Sequence, residues 1–343
     1  MSTPNRFLAD GSNPTGLLLT QKFDEVVQKT WQMATPLMDN PGLIANTKDI
    51  ANGETFRYMM ESIDVPTDAV YHAPGAVIRG RQVEYVTGTI GLDPIMTDAR
   101  EIDFRDARIA DFDFQSGIAQ SLVNTIKMNY ERKFNILNLR AARATAQVSK
   151  NGRVIHNGGV IQTIVGANWE AGLPDNSTGA DAFEAACHQL CETLDTRFVP
   201  RAGRVMRIAP RVERILRHKP SLWIQDYKAP NNLNSKSLML IAGFNVVTDP
   251  NLDYLSTNIV DPDGLSKYSV NCTVATTTGR PAALVTCGVM EGKAPVGIVR
   301  AQGIRGFYTK DEFTNRHFFK ADMLMGADIM HPYTAAAIEV RTA

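Results

Sequence analysis

The sequence predicts an α+β fold, and three observations carry that prediction. One segment of about 30 residues holds an unbroken helical pattern, long enough to span about 45 Å. Much of the remainder consists of short apolar runs punctuated by glycine and proline, without a regular strand–helix–strand alternation. Between these lies an acidic stretch with no lysine from Lys48 to Lys127 and with turn signals throughout.

Composition bounds the function before any motif is read. The chain has 343 residues, with 36 basic and 36 acidic side chains, and is 44% hydrophobic. Disorder requires fewer apolar residues and a charge imbalance. An autonomous nucleic-acid binder is helped by net positive charge, and this chain is neutral. No basic n-region followed by an apolar run opens the sequence, so a secretory signal is not expected. No stretch approaches the 18 to 20 consecutive apolar residues of a membrane span, and no membrane partner is expected. The four cysteines, Cys187, Cys191, Cys272 and Cys287, form no CxxC pairs and are too few for a disulfide scaffold.

Residues 1–54 mix polar, glycine and proline positions with short apolar pieces such as Leu17-Leu18-Leu19. An extended arm is favoured over a small separate domain, with one helical piece over Phe23 to Met33. Residues 55–108 are expected to form a long two-stranded excursion. Turn signals at Pro74-Gly75, Gly80, Gly88, Gly91 and Pro94 divide the segment into short runs such as Ala76-Val77-Ile78. Such a hairpin is marginal alone and has to lie on a neighbour.

Asp111 and Asp113 are placed to cap the long helix. Along it Ile118, Leu122, Ile126, Tyr130 and Phe134 recur every fourth residue. No proline occurs between Pro94 and Pro174 and no glycine between Gly117 and Gly152, so nothing interrupts this strut. Residues 150–178, rich in Gly and Asn, read as a loop or small β insertion. A second helix is predicted from Asp181 to Phe198, with Phe183, Cys187, Leu190, Cys191 and Leu194 on one face. A strand over Arg204 to Ala209 and a short helical turn over Val212 to Leu216 follow. Further strands are predicted at Leu238 to Val247 with a kink at Gly243, at Tyr268 to Val274 from strict alternation, at Ala283 to Val289, at Val296 to Arg300 and at Ile338 to Val340.

A search for chemistry returns little. The one Gly-Lys pair, Gly292-Lys293, is followed by Ala294 and is no phosphate loop; GxGxxG, GxSxG and HExxH are absent. Cys187-His188 and Cys191 lack a second ligand pair, so core packing is favoured over metal binding. Asp261-Pro262-Asp263-Gly264 matches half of a calcium loop without its later ligands and reads as a surface turn. No catalytic residue, cofactor or metal is expected. A basic cluster remains: Arg201, Arg204, Arg207, Arg211, Arg214, Arg217 and Lys219, opposed by Glu213. It is read as a protein–protein charge match in preference to a nucleic-acid surface.

The order of these parts resembles the major capsid protein of tailed double-stranded DNA bacteriophages, the Hong Kong 97 fold, and most closely its short-tailed branch. Tyr71-His72-Ala73-Pro74-Gly75 with Gly80 looks like the extended-loop motif of that branch. Pro210 to Leu216, then Leu238 to Gly243-Phe244-Asn245-Val246, looks like its axial-domain pattern. Phe319-Lys320-Ala321-Asp322, Pro332, and Ala337-Ile338-Glu339-Val340 resemble its C-terminal strand and tail.

The resemblance implies an N-terminal arm (1–54), an extended loop (55–108), a peripheral domain with a spine helix (109–178), an axial domain (179–295) and a return to the peripheral domain (296–343). It implies a non-enzymatic shell subunit forming pentamers and hexamers of an icosahedral head, found in the virion and assembled in the host cytoplasm. The implied partners are further copies of itself, a portal protein and weakly, non-specifically held double-stranded DNA, with room for a decoration protein. Only about 54 residues precede the loop, so a separate scaffolding protein is expected. The type member of the fold cross-links through a loop lysine; the lysine-free loop here implies a shell without covalent links. Candidate inter-subunit contacts are Tyr71, Pro74, Gly75, Arg79, Gly80 and Arg81 in the loop and Arg204, Arg211 and Arg214 in the basic cluster. The rivals are an encapsulin-like compartment shell, which shares the fold, and a cytosolic enzyme with no recognisable motif.

Overall fold

A computed structural model describes residues 35–50, 53–64, 69, 71, 77, 83–103, 114–165, 177–216, 240–311 and 316–342. In chain order the elements are α1 (Pro36–Asp39), β1 (Ala45–Asp49), β2 (Thr55–Glu61), β3 (Tyr85–Gly91), β4 (Met96–Asp103), α2 (Phe114–Arg143), β5 (Gln147–Val148), β6 (Val154–His156), β7 (Val160–Val165), α3 (Ser177–Thr196), β8 (Val205–Ile208), α4 (Pro210–Leu216), β9 (Leu240–Ile241) and β10 (Phe244–Thr248). There follow β11 (Asn258–Ile259), β12 (Val270–Asn271), β13 (Arg280–Thr286), β14 (Val296–Asp311), β15 (Arg316–Ile329) and β16 (Ala335–Arg341).

Two sheets organise the molecule. The first has four strands in the order β1-β14-β15-β4, with β1 parallel to β14 and the other pairs antiparallel. The second is a mixed six-stranded sheet, β7-β16-β13-β8-β10-β9. Its centre is almost wholly apolar: Ala282 to Val285 of β13 and Ala335 to Ile338 of β16 are all fully buried. Strands covered on both faces read as continuous hydrophobic runs, as these do.

The 30-residue α2 is the wall shared by two cores. Ile118, Leu122, Ile126, Tyr130, Phe134 and Leu137 pack with Ile298, Phe319, Met323 and Met325 of the four-stranded sheet. Ile136, Leu139 and Ala142 face the other way, into the core of the six-stranded sheet with Phe183, Leu190, Met206 and Ile338. The every-fourth-residue pattern is thus the stripe that meets the first sheet, and its last turns serve both. Arg143 closes the helix end, donating to Glu339, to the Asn271 carbonyl at 2.7 Å and to the Gly279 carbonyl at 2.9 Å. A cation at a helix C-terminus is favourably placed.

Several expectations are refined. The capping residues Asp111 and Asp113 and the helical piece at 23–33 lie outside the described residues. Residues 55–61 pair with 85–91 over seven residue pairs, but 96–103 leave that hairpin and pair with β15. The alternating run at Tyr268 to Val274 is not one strand. Ser266–Tyr268 form a 3-10 turn, and only Val270–Asn271 pair, with Asn258–Ile259. Alternation arises there because Tyr268, Val270 and Cys272 each drop into a core while the residues between them face out. The strand expected to stop at Arg300 runs on to Asp311 and returns as β15, a long hairpin with bulges between Arg300 and Arg305. β16 sits beside β13 in the six-stranded sheet, together with β7, rather than with the four-stranded sheet.

Candidate assembly surfaces and the buried seam

The β2–β3 hairpin has two unlike faces. Phe56, Tyr58, Met60, Val86 and Ile90 share one, and its root lies on the four-stranded sheet, where Ile90 is 1% exposed. The opposite face carries exposed Arg57, Met59, Glu61 and Tyr85. The crossing of hairpin root and sheet is too close for side chains. A β-carbon on Gly326 would fall on the backbone carbonyl of Gly91, and one on Gly297 on the end of Ile90. Tyr58 fixes the angle by donating its hydroxyl to the Ile329 carbonyl at 3.1 Å, and Ile63 N–H reaches the Val154 carbonyl at 2.9 Å.

Of the candidate contacts, Tyr71 is fully exposed, as is its neighbour in the loop, Val77. Pro74, Gly75, Arg79, Gly80 and Arg81 lie outside the described residues. Arg214 is exposed, and Arg211 is half-buried against Asp253 at 3.0 Å and the Pro281 carbonyl at 3.1 Å. Arg204 requires correction. It is 1% exposed and spends its guanidinium internally, on Asp195 at 2.7 Å and on the Val199 and Pro200 carbonyls. Arg207 is also 1% exposed. The basic cluster is therefore not one surface, because Arg204, just before β8, and Arg207, on β8, are both turned inward. Arg217 and Lys219 lie outside the described residues.

Those inward arginines expose what the sequence reading missed. Glu131, Asn135 and Asn138 form one stripe on α2, at spacings of four and three. They lie between the two apolar faces of the helix, and all three are fully buried. Arg207 enters this stripe from β8, bonding to Asn135 and pairing with Asp249 at 3.2 Å. Asp249 is itself fully buried and accepts the Asn251 N–H at 2.9 Å, capping the 3-10 turn at Pro250–Tyr254.

At the other end of the stripe, Glu131 accepts the N–H groups of Leu37 (3.1 and 3.0 Å) and Met38 (2.9 Å). It thereby fastens α1, the last part of the N-terminal segment, to the long helix, while Lys127 pairs with Asp39 at 2.7 Å on the surface. Burial pushes the Glu131 carboxyl up to about 7, against the pull of the two amides. Part of the seam has no hydrogen-bond partner among the described residues. Both amide atoms of Asn138, the Asn135 Nδ2 and the Arg207 Nε and Nη2 are buried and unbonded. Each such group left dry costs about 1–3 kcal/mol. The available sequence signal was three polar residues on one line of an otherwise apolar helix.

Other ionisable groups are structural. Burial raises the Cys187 thiol far above its ordinary value, the reverse of a reactive thiolate. His331, stacked edge-on between Tyr58 and Tyr333, is held down to about 4 by burial first, then by Lys293 and His156. Asp93 receives the Tyr268 hydroxyl and pairs with Lys267, tying the loop after β3 to the turn at Ser266–Tyr268. Among the described residues, no cluster of three or more His, Cys, Asp or Glu is arranged to hold a metal.

The arrangement as a whole has counterparts among solved structures. Over 99% of both chains it superposes on the capsid of the Cyanophage P-SCSP1u, with a TM-score of 0.77 at 18% identity. The mature capsid of bacteriophage PhiM1 matches 93% of this chain and 91% of its own, at TM-score 0.72 and 14% identity. The chain has the Hong Kong 97-like capsid fold. The capsid of the native GTA particle matches 96% of this chain and 99% of its own, at TM-score 0.57 and 12% identity. No family model and no curated protein matches the sequence. Low identity with full coverage is what a conserved backbone with freely substituted core residues produces.

Proposed function

We propose that this chain is a structural major capsid protein that self-assembles into the pentamers and hexamers of an icosahedral phage head enclosing double-stranded DNA. The observation that carries the reading is superposition on the cyanophage capsid over 99% of both chains. The exposed hairpin supports it, since a two-stranded element of this kind gains stability by lying across a neighbour. Repeated contacts of that type close into rings and then shells, and many modest contacts multiply through effective concentration.

The work of the subunit on this reading is mechanical. The hairpin with Tyr71 and Val77, and exposed Arg214, are the contacts proposed between subunits. Pro74, Gly75, Arg79, Gly80 and Arg81 extend that proposal along the loop. The proposed partners are a separate scaffolding protein, a portal protein, DNA held without sequence preference and, on the outer surface, a decoration protein. The proposed setting is the virion, after assembly in the host cytoplasm. The axial and peripheral division is proposed to follow the two sheets, with residues 160–165 and 335–341 counted with the axial unit.

The neighbours described above are phage and GTA capsids, which favours a genome container over an encapsulin-like compartment. Sedimentation velocity on the protein, produced with and without its neighbouring genes, followed by microscopy of fast fractions, tests the proposal. Closed shells are expected. A sharp monomer or dimer under every condition, with the scaffold candidate present, refutes it and returns the enzyme reading.

A further inference from the structure

We propose that the seam between α2 and the six-stranded sheet is a hydrated joint, in which ordered water molecules bridge Asn135 and Asn138 to Arg207. The observation is the set of five buried polar atoms without hydrogen-bond partners among the described residues: Asn135 Nδ2, both amide atoms of Asn138, and Nε and Nη2 of Arg207. Asn135 and Arg207 touch directly, and Asn138 lies one turn further along the same face of the helix. All three residues are at most 1% exposed, so bulk solvent does not satisfy them.

Three occupants compete, and the chemistry of the atoms chooses among them. A dry seam leaves every one of these groups desolvated and unbonded, whereas the large majority of buried polar atoms in native interiors have a partner. A cation is rejected by the donor set, because four of the five atoms are nitrogens that donate and one of the side chains is itself a guanidinium. A small anion suits the donors but not the charges. Arg207 already faces Asp249 at 3.2 Å, and the Glu131 carboxyl lies close enough to interact with it. One positive charge is thus met by one or two negative ones before any ion enters. Water is neutral, donates to the Asn138 Oδ1 and accepts from the four nitrogens. A buried water typically makes about three such bonds.

Hydration changes the mechanical character of the junction. A direct apolar interface has one well-packed arrangement. A water-bridged contact instead keeps its polar groups bonded at nearly the strength of a direct hydrogen bond. The seam runs along the helix that both cores share, between Glu131 at the N-terminal segment and Asn138 near the second sheet.

Two measurements on the full chain test the proposal. In a density map of the assembled particle, or of the purified subunit, at a resolution that resolves ordered water, peaks are expected within hydrogen-bond reach of both Asn138 and Arg207. Side chains bonded directly to one another, with no peak, overturn it. Independently, the melting midpoint of Asn138→Leu is compared with that of the parent in chloride and in a chloride-free buffer. A hydrated joint predicts an unchanged or lower midpoint, because leucine strands the bridging water and Arg207. A rise of several degrees identifies a dry seam, and a parent midpoint that climbs with chloride while the variant's does not identifies an anion. Either result overturns the hydrated joint.

Discussion

Arg207→Met is the sharpest test of how the buried polar seam is held together. Arg207 is 1% exposed and its partner Asp249 is fully buried, so the substitution leaves a carboxylate in the interior without its counter-ion. Removing one member of a buried pair costs about 3–5 kcal/mol. The lower end is expected here, since Asp249 keeps the Asn251 N–H at 2.9 Å. Against a total stability of roughly 5–15 kcal/mol, that is a large fraction of the whole. Denaturant unfolding of the unassembled subunit, followed by circular dichroism, reads the loss. The double variant Arg207→Met with Asp249→Asn retains the capping oxygen while removing the stranded charge. It is expected to recover about 0.5–3 kcal/mol relative to additivity, the usual range for coupled neighbours. A single-variant loss below about 1 kcal/mol, or strict additivity in the cycle, refutes the claim that this pair ties β8 to its surroundings.

Four further outcomes are expected. Gly326→Ala forces a β-carbon into the Gly91 carbonyl and should cost about 1–3 kcal/mol as an overpacked site, read as a lowered melting midpoint. Phe198 sits at φ 57° just beyond α3 with its ring 94% exposed, so Phe198→Gly should stabilise the isolated subunit by up to about 1 kcal/mol in the same denaturant assay. Glu131 titrates at about 7 when folded against an ordinary 4.5, so its contribution to stability is full below 4.5 and is lost as pH rises through 7. The stability difference between Glu131→Gln and the parent should therefore move in favour of Gln across that window; a difference independent of pH contradicts the assigned titration. If the proposed capsid role holds, assembled particles boiled in detergent should run as a single band near 37.7 kDa, given a loop without lysine, whereas a ladder of covalent oligomers counts against it.

What the sequence disclosed, and what it hid, follows from how local each cause is. The long helix was legible because its stripe from Ile118 to Phe134 is written in one stretch and nothing breaks it. The second helix and β8 were legible for the same reason. The β14–β15 hairpin was under-read past Arg300: register shifts between Arg300 and Arg305 break the alternation, and the exposed outer half lacks a core-facing period. The destination of β4 was invisible, because its partner lies more than 200 residues away and nothing nearby specifies it. The basic cluster misled because charge in sequence says nothing of direction; Arg207 lies on a strand that the sheet encloses and Arg204 just before it, whereas Arg214 is on an exposed helical position. The seam was hidden by the same non-locality, its members coming from α2, β8 and the turn after β10.

The place of β16 bears on when the subunit becomes competent. This strand, residues 335–341, is not an edge added at the end but lies between β7 and β13. Without it, β7 has no partner in that sheet and one side of β13 stays open. A ribosome carrying a nascent chain thus displays the long helix and the long hairpin before the second core can close. Until residues 335–341 are in place the apolar side of β13 stays uncovered, and exposed apolar surface of this kind promotes aggregation of large chains.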